Sequence, residues 1–304
     1  MKSHYARSVV MTSAFALVNV WGLQVETELF GQETYQKPPQ DVVDIIDALP
    51  VPSVNFSPNR QWILLIDRPA MPGIEDLSRR MLRLAGMRID PAANSRFSTG
   101  FYSGISLRPI DGDEAFEVPL PKGAKISDVD WSHHSNYFAF TTLTDEGQQL
   151  WIASVEDPAT PIQVTDRLNT VTGGLVWMPD GQSILCQLIP EDRGSEPEAS
   201  QTPVGPNIQE SSGNTSPTRT YQDLLSNAHD EALFEYYARN QLARISLDGT
   251  IQTISEPAIF SGVSPSPDGN HILVTRIQKP FSYLMTMRSF PQRIEVWDVQ
   301  GQCE

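Results

Sequence analysis

Serine, histidine and carboxylate are the side chains from which a hydrolytic site is built, so their spacing comes first. Acyl transfer on an α/β scaffold needs a serine on a strained strand-to-helix elbow, G-x-S-x-G, whose glycines let the backbone turn and present the hydroxyl. The nearest approach is GFYSG at 100–104, where Ser103 stands one place too late, and no such pentad occurs elsewhere. Five histidines are present, with His133 and His134 adjacent. Their spacing supports no Ser-His-Asp set, and the adjacent pair reads as exposed turn residues rather than metal ligands. Asp44 with Asp47, and Glu231 with Glu235, fit solvated helix faces better than a general acid and base. Cys186 lies in an apolar run and Cys303 near the C-terminus, neither with a second ligand at zinc spacing. A phosphate-binding loop, a dinucleotide fingerprint, an H-E-x-x-H helix and an EF-hand loop are all missing. No catalytic, cofactor-binding or metal-binding residue is therefore expected in this chain, and no cofactor.

The residues that do recur are turn residues. SVNFSPNRQWILLI from Ser53, DVDWSHHSNYFAFT from Asp128, GLVWMPDGQSILCQ from Gly174 and GVSPSPDGNHILVT from Gly262 share one plan. A short segment leads into a tight turn, followed by a run of β-branched, aromatic and leucine residues. Pro179 and Pro267 pre-set the first central position of the turn, and Gly181 and Gly269 accept the left-handed one. Each copy precedes a second strand pair, from Ser103, Gln148, Asn240 and Gln292, with Asp111-Gly112 and Asp248-Gly249 as hairpin turns and the outer strand of the last blade missing. Asp-Gly pairs so placed are turns rather than calcium ligands. Trp131, Trp151, Trp177 and Trp297 recur at matching places and read as packing between units.

Four strands per unit at a period of about 40 to 50 residues is the signature of a β-propeller blade. The fold class expected is all-β: about four blades of four antiparallel strands, as part of a seven- or eight-bladed propeller. The units fall at about 51–121, 126–166, 171–255 and 260–304. Positions 132 and 178 lie 46 residues apart, one plain blade, whereas the neighbouring gaps of 75 and 88 residues require insertions. The first, at about 68–102, contains IEDLSRRMLRLAG, where Ile74, Leu77, Met81 and Leu84 share one helical face and Gly86 supplies a stop. The second, at about 190–239, opens as a Pro/Ser/Gly/Glu-rich mobile loop and closes with a helical stretch, Thr220 as its N-cap and Asp223 three residues on. Two roles stay open for both insertions: facing a partner, or packing against the propeller rim.

Composition bounds the partners. Over 304 residues the net charge is −15, with 39% hydrophobic and 19% charged residues, an ordinary globular balance. Such acidity opposes binding to nucleic acid or to an anionic membrane surface, and it reads as solubility rather than as a site for a cation. Lys2 and Arg7 precede a mostly apolar run from Val9 to Leu23, the layout of a signal peptide over 1–25. Export to the periplasm or outside the cell follows from it, with a cytoplasmic location as the alternative. A lead segment then covers 26–50, and no membrane span is expected.

Three stretches carry more than fold. KPPQDVVDIIDALPVPSVNFSPNR at 37–60, LAGMRIDPAANSR at 84–96 and RTYQDLLSNAHDEALFEYYARNQL at 219–242 resemble the N-terminal half of the glutamyl endopeptidase branch of the prolyl oligopeptidase family, the chloroplast and cyanobacterial type. The likeness runs from about residue 37 to the C-terminus and includes SYLMTMRSFPQRIEVWDVQG. Two of these motifs lie in the insertions, which a generic propeller has no reason to share.

That resemblance implies a serine peptidase in which a propeller restricts the access of peptides to an α/β-hydrolase domain carrying Ser, Asp and His, with cleavage after glutamate. No position here matches the family's triad motifs, so this chain alone is expected to be inactive. It reads as the non-catalytic propeller portion, with peptide substrates reached through the full enzyme and the hydrolase domain as partner. A seven-bladed ring would need roughly 130 further residues, and the open blade would make the chain poorly soluble or partner-dependent. The alternatives are a stand-alone small propeller that acts as a binding module, with the segment near 26–40, which includes ETELFGQETYQ, supplying the missing strand of the fourth blade, and the propeller subunit of a two-chain peptidase.

Overall fold

A computed structural model describes residues 37–199 and 221–303. The signal-like start, most of the lead segment with its ETELFGQETYQ stretch, much of the Pro/Ser/Gly/Glu-rich run and the Thr220 cap lie outside the described residues. The chain divides into two units between Ile45 and Ile46. The described part of the first carries most of helix α1 (Gln40–Asp47), where Gln40 donates to Asp44 at 2.7 Å across one turn.

The second unit is a succession of antiparallel sheets. β1 (Ser53–Phe56) pairs with β2 (Trp62–Asp67), after which the chain leaves the sheet. The excursion holds the short helix α2 (Ile74–Ser78) and a small sheet of β3 (Leu82–Leu84), β4 (Met87–Asp90) and β5 (Ser95–Arg96). The chain returns as β6 (Gly104–Pro109) and β7 (Phe116–Glu117), completing a sheet in the order β1-β2-β6-β7. β8 (Lys125–Trp131), β9 (Tyr137–Thr144), β10 (Gly147–Ser154) and β11 (Ile162–Thr165) form the second sheet without interruption. The third consists of β12 (Val176–Trp177) and β13 (Ser183–Leu188), then helix α3 (Ala228–Ala238), then β14 (Gln241–Ser246) and β15 (Ile251–Thr253). β16 (Ile259–Pro265), β17 (His271–Ile277) and β18 (Gln292–Asp298) follow, and a 3-10 turn over Met287–Ser289 precedes the last of them. These are β-propeller blades in an all-β protein, and no sheet closes on itself among the described residues.

The repeated turn has one geometry. Arg60, Ser135, Gly181 and Gly269 all sit at positive φ, between 57° and 73°, and each donates its N–H to the carbonyl three residues back, at 2.8–2.9 Å. Glycine adopts that conformation without steric cost, whereas Arg60 and Ser135 are held in it by their surroundings. Three copies add the same clasp: the hydroxyls of Ser57, Ser132 and Ser266 accept from the N–H five residues on, at 3.0–3.1 Å. Met178 stands at this place in the third copy and supplies no hydroxyl, and there the Asp180 carboxylate accepts from the Gln182 N–H at 2.9 Å.

Adjacent blades bury their facing sides against each other. Leu64, Ile105 and Leu107 of the first pack on Trp131, Phe138 and Phe140 of the second. Ile152 and Val164 meet Trp177, Ile184 and Ile245, and Leu185 and Leu242 meet Phe260, Val274 and Trp297. Strand β13 is buried at all six positions because it has a blade on each side, so its sequence reads as a continuous apolar run rather than an alternating one.

Two local expectations are corrected. The 74–86 stretch is not one helix with Leu84 on its face and Gly86 as its stop: α2 ends at Ser78, and Leu82 and Leu84 belong to a strand. Ala85 (φ 53°) and Gly86 (φ 78°) form a two-residue hairpin turn, left-handed at both positions as the twist of paired strands requires. The pattern Leu-Arg-Leu then Met-Arg-Ile has period two, and this governs the local structure. The second helical stretch is likewise shorter. Its cap is Asn227, whose side chain accepts from the Asp230 N–H at 2.9 Å, and Asp223 stands before the helix at φ 59°.

Candidate functional site

The first strands of successive blades lie side by side and make an inner wall. Asn55 on β1 donates from its amide to the Val129 carbonyl at 3.3 Å, and the Trp131 indole N–H donates to the Asn55 carbonyl at 3.4 Å. Between them opens a groove of about 400 Å³ lined by Phe56, Asp130, His133, Val176 and Trp177. On β1, Phe56 in the groove and Val54 beside it are 57% and 50% exposed. Asp128 and Asp130 present carboxylates from β8, and each accepts the N–H of the residue after it, at 3.0 and 2.9 Å. Their tips reach solvent, yet the concave wall displaces part of their water, so both carboxyls titrate above the usual range. For Asp130 the neighbouring Asp128 charge adds to the rise, and His133 opposes it.

A second surface is built by the excursions. Leu84 and Ile89 from the small sheet, Leu233, Phe234 and Tyr237 from α3, and Phe281, Met287 and Phe290 from the 278–291 segment share one apolar core. The insertions thus pack on each other and on the fourth sheet through Ile259 and Ile277. Of the two roles open from sequence, packing is what the described residues do.

Polar groups lock this layer to the blades. The buried amide of Asn169 donates to the Tyr237 and Arg239 carbonyls, both at 3.0 Å, and Asn94 reaches the Tyr237 carbonyl at 3.3 Å. Thr172 donates to the Phe260 carbonyl at 2.6 Å, and Asn240 donates to Thr172 Oγ1 at 3.0 Å. Arg79 pairs with buried Asp90, and its guanidinium lies 5.0 and 5.1 Å from the Phe97 and Phe101 rings. Arg80 pairs with Glu196 at 2.9 Å across the two insertions, which holds that carboxyl below its usual range. Burial, followed by the hydrogen bond to Glu196, pushes the Tyr237 phenol well up.

The groups considered for chemistry from sequence stay apart. His133 and His134 are exposed in the β8–β9 turn. Ser103 donates its backbone N–H to the Asp67 carbonyl at 2.8 Å at the return to β6, not on an elbow before a helix. Glu231 and Glu235 face Lys279 at 3.9 and 2.7 Å as a surface ion-pair cluster. Cys186 is buried in β13 and Cys303 is exposed. Among the described residues no three His, Cys, Asp or Glu side chains gather as metal ligands, and no helix is long and apolar enough to cross a membrane. Sequence reasoning missed the Asn94–Asn169–Asn240 lock, since isolated asparagines in loops carry no pattern. Asp128 and Asp130 had a signal, the polar-apolar-polar alternation at the end of β8. These surfaces can bind, orient and exclude.

No protein-family profile matches the chain. It is 36% identical, over 88% of its length, to a rice protein (Oryza sativa subsp. japonica) named probable glutamyl endopeptidase, chloroplastic, and covers 30% of that protein. An Arabidopsis thaliana protein of the same name is also 36% identical, with 88% of this chain and 29% of the relative covered. The chain therefore spans less than a third of the curated relatives it matches. Among solved structures, an acylaminoacyl peptidase of Pyrococcus horikoshii aligns with 86% of this chain and 32% of its own, at TM-score 0.45 and 10% identity. The propeller domain of the trilobed protease of Pyrococcus furiosus aligns over 82% and 55%, at TM-score 0.40 and 12% identity.

Proposed function

We propose that this chain, a relative of the glutamyl endopeptidases that corresponds to their N-terminal propeller portion, is the non-catalytic part of a serine peptidase and restricts which peptides reach a hydrolase domain. The observation that carries the reading is 36% identity over 88% of the chain to peptidases of which only 30% is covered. The matched part holds blades and their insertions, and the chain contains no nucleophile-elbow pentad. A wall of edge strands bearing Val54, Phe56, Asp128 and Asp130 suits sorting by size and charge better than bond cleavage.

The hydrolase domain acts either in the same polypeptide or as a separate chain. The outward face of the fourth sheet bears Leu273, Ile294 and Val296 at 47%, 65% and 44% exposure, an apolar surface suited to a further blade. The relatives are named chloroplastic, and we take this chain to be a targeted protein as well, exported to the periplasm or beyond in a bacterial host.

An antibody to residues 219–242 and a fluorophosphonate probe on one native sample test the reading. Probe label is expected in the antibody-reactive band or in a chain that co-purifies with it. The same enzyme should cleave short peptides faster than folded proteins. Probe label on the 304-residue chain expressed alone, or its isolation from cells with no probe-reactive partner, would overturn it.

A further inference from the structure

A pocket of about 590 Å³ opens between the β3–β4 turn, β5 and residues 286–288. Arg88, Arg96 and Arg288 line it, together with Met87, Phe97 and Met287. Its one carboxylate among the described lining residues is Asp223, which is already shared: Arg88 Nε lies 3.2 Å from it and Arg83 Nη1 3.7 Å. Arg96 donates its Nε to the Val171 carbonyl at 3.1 Å. The ion pairs among the described residues give neither Arg96 nor Arg288 a carboxylate.

This concentration of guanidinium runs against the composition, because the chain as a whole carries a net charge of −15. Beside it, Arg83 and Arg88 stand directly opposite in the β3–β4 register, a like-charge pairing that the shared Asp223 carboxylate offsets. The frame is preorganised. Gly86 donates to the Asp223 carbonyl at 2.7 Å, and Met287 donates to the Ala85 carbonyl at 2.8 Å. A Cβ on Gly86 would lie 2.4 Å from Thr286 Cγ2, so the hairpin tip seats directly on the opposite wall.

We propose that this pocket binds an anionic ligand through carboxylate or phosphate oxygens, with Arg96 and Arg288 as its primary partners. Planar guanidinium groups match such oxygens two at a time, and the fixed walls lower the ordering cost of binding. Asp223 competes with the ligand for Arg88. The inference stands apart from the peptidase reading and does not depend on it.

The test is fluorescence anisotropy of a fluorescein-labelled hexaglutamate peptide titrated with the 304-residue chain at low salt, with inorganic phosphate as competitor. Saturable binding that weakens with salt is expected. The Arg96→Gln/Arg288→Gln double variant should weaken it about tenfold or more. Asp223→Asn should tighten it, and Arg167→Gln, which removes a distant arginine paired with Glu191 at 2.6 Å, should leave it unchanged. Competition by phosphate would mark a general oxyanion pocket, and Arg96-dependent peptide binding indifferent to phosphate would mark a carboxylate pocket. No saturable binding of the peptide and none of phosphate by calorimetry, or a double variant of unchanged circular dichroism that binds like the wild type, would overturn the proposal.

Discussion

Replacing Phe234 by alanine is the sharpest test of how the insertion layer is held. The side chain is fully buried on α3, and its ring meets Phe281 edge-on at 5.0 Å and Phe290 edge-on at 5.7 Å. Truncating a buried phenylalanine costs about 3–5 kcal/mol. The upper half of that range applies here because Phe281 and Phe290 are stacked on each other at 5.4 Å and 17°, which limits collapse into the cavity. The effect should be local. Phe234 belongs to the core of the insertions, while Phe138 and Phe140 belong to the separate core between the first two blades. Amide hydrogen exchange read by mass spectrometry should show protection falling about a hundredfold or more in peptides from 82–96, 228–238 and 281–290. Protection in 137–154 should stay near the wild-type level. Equal loss across the blades would show that the layer and the blades form one cooperative unit. Wild-type protection in the layer would show that the shared core does not hold it. Either result refutes the reasoning.

Three further outcomes follow from local chemistry. Burial pushes the Cys186 thiol up to about 12, so iodoacetamide should label Cys303 alone in the native protein and both cysteines in denaturant; fast native labelling of Cys186 would contradict its place in β13. The Asp268 carboxyl is lowered to about 2, first by the Ser266 hydroxyl at 2.5 Å and then by Asn270. Its contribution is therefore complete above the ordinary carboxylate value near 4 and lost as pH falls through about 2. An NMR titration should place its midpoint near 2 in the wild type and higher in Ser266→Ala. Asp128 and Asp130 are raised, so the native state holds their protons more tightly than the unfolded chain and loses stability as pH rises through the carboxylate range. An Asp128→Asn/Asp130→Asn variant should unfold at higher urea than the wild type at pH 7, with the difference gone below about pH 4; equal midpoints at pH 7 would show that the wall does not desolvate these groups.

The blades were legible because their turns are written in residue types with a steric reason. Pro-Asp-Gly names its own conformation at 179–181 and 267–269, and the apolar runs after it have strand length. Arg60 and Ser135 fill the same left-handed position without glycine, so those copies were found only by alignment with the others. The first insertion misled because Ile74, Leu77, Met81 and Leu84 fit a helical face while Leu82, Leu84, Met87 and Ile89 fit a strand pair. Tertiary contacts decided between them. Arg79 leaves the helix with extended backbone, at ψ 144°, and its side chain is drawn between two aromatic rings toward Asp90. None of those partners is marked by spacing. The inner wall was half legible, since Asp128 and Asp130 alternate with Val129, yet which strand is innermost is a property of the assembled sheets.

Apolar contact alone aligns blades loosely, because burial rewards area and not direction. Hydrogen bonds from buried amides are directional, and leaving one unmade is costly. Here they fall where they fix registry. Asn94 of the first excursion and Asn169 between the second and third blades meet on the Tyr237 carbonyl, 143 and 68 residues away in sequence. Thr172, Gln187 and Asn240 converge on the Phe260 carbonyl at the start of the fourth sheet. A shift of one blade against the next would strand several of these groups at once, so the network penalises sliding more steeply than the apolar cores do. Under the proposed peptide-sorting role, fixed registry is the functional requirement, since the spacing between Phe56, Asp130 and Val176 is set by how three different blades are held. The insertions therefore bear on the wall through the blades, by fixing the positions from which its side chains project.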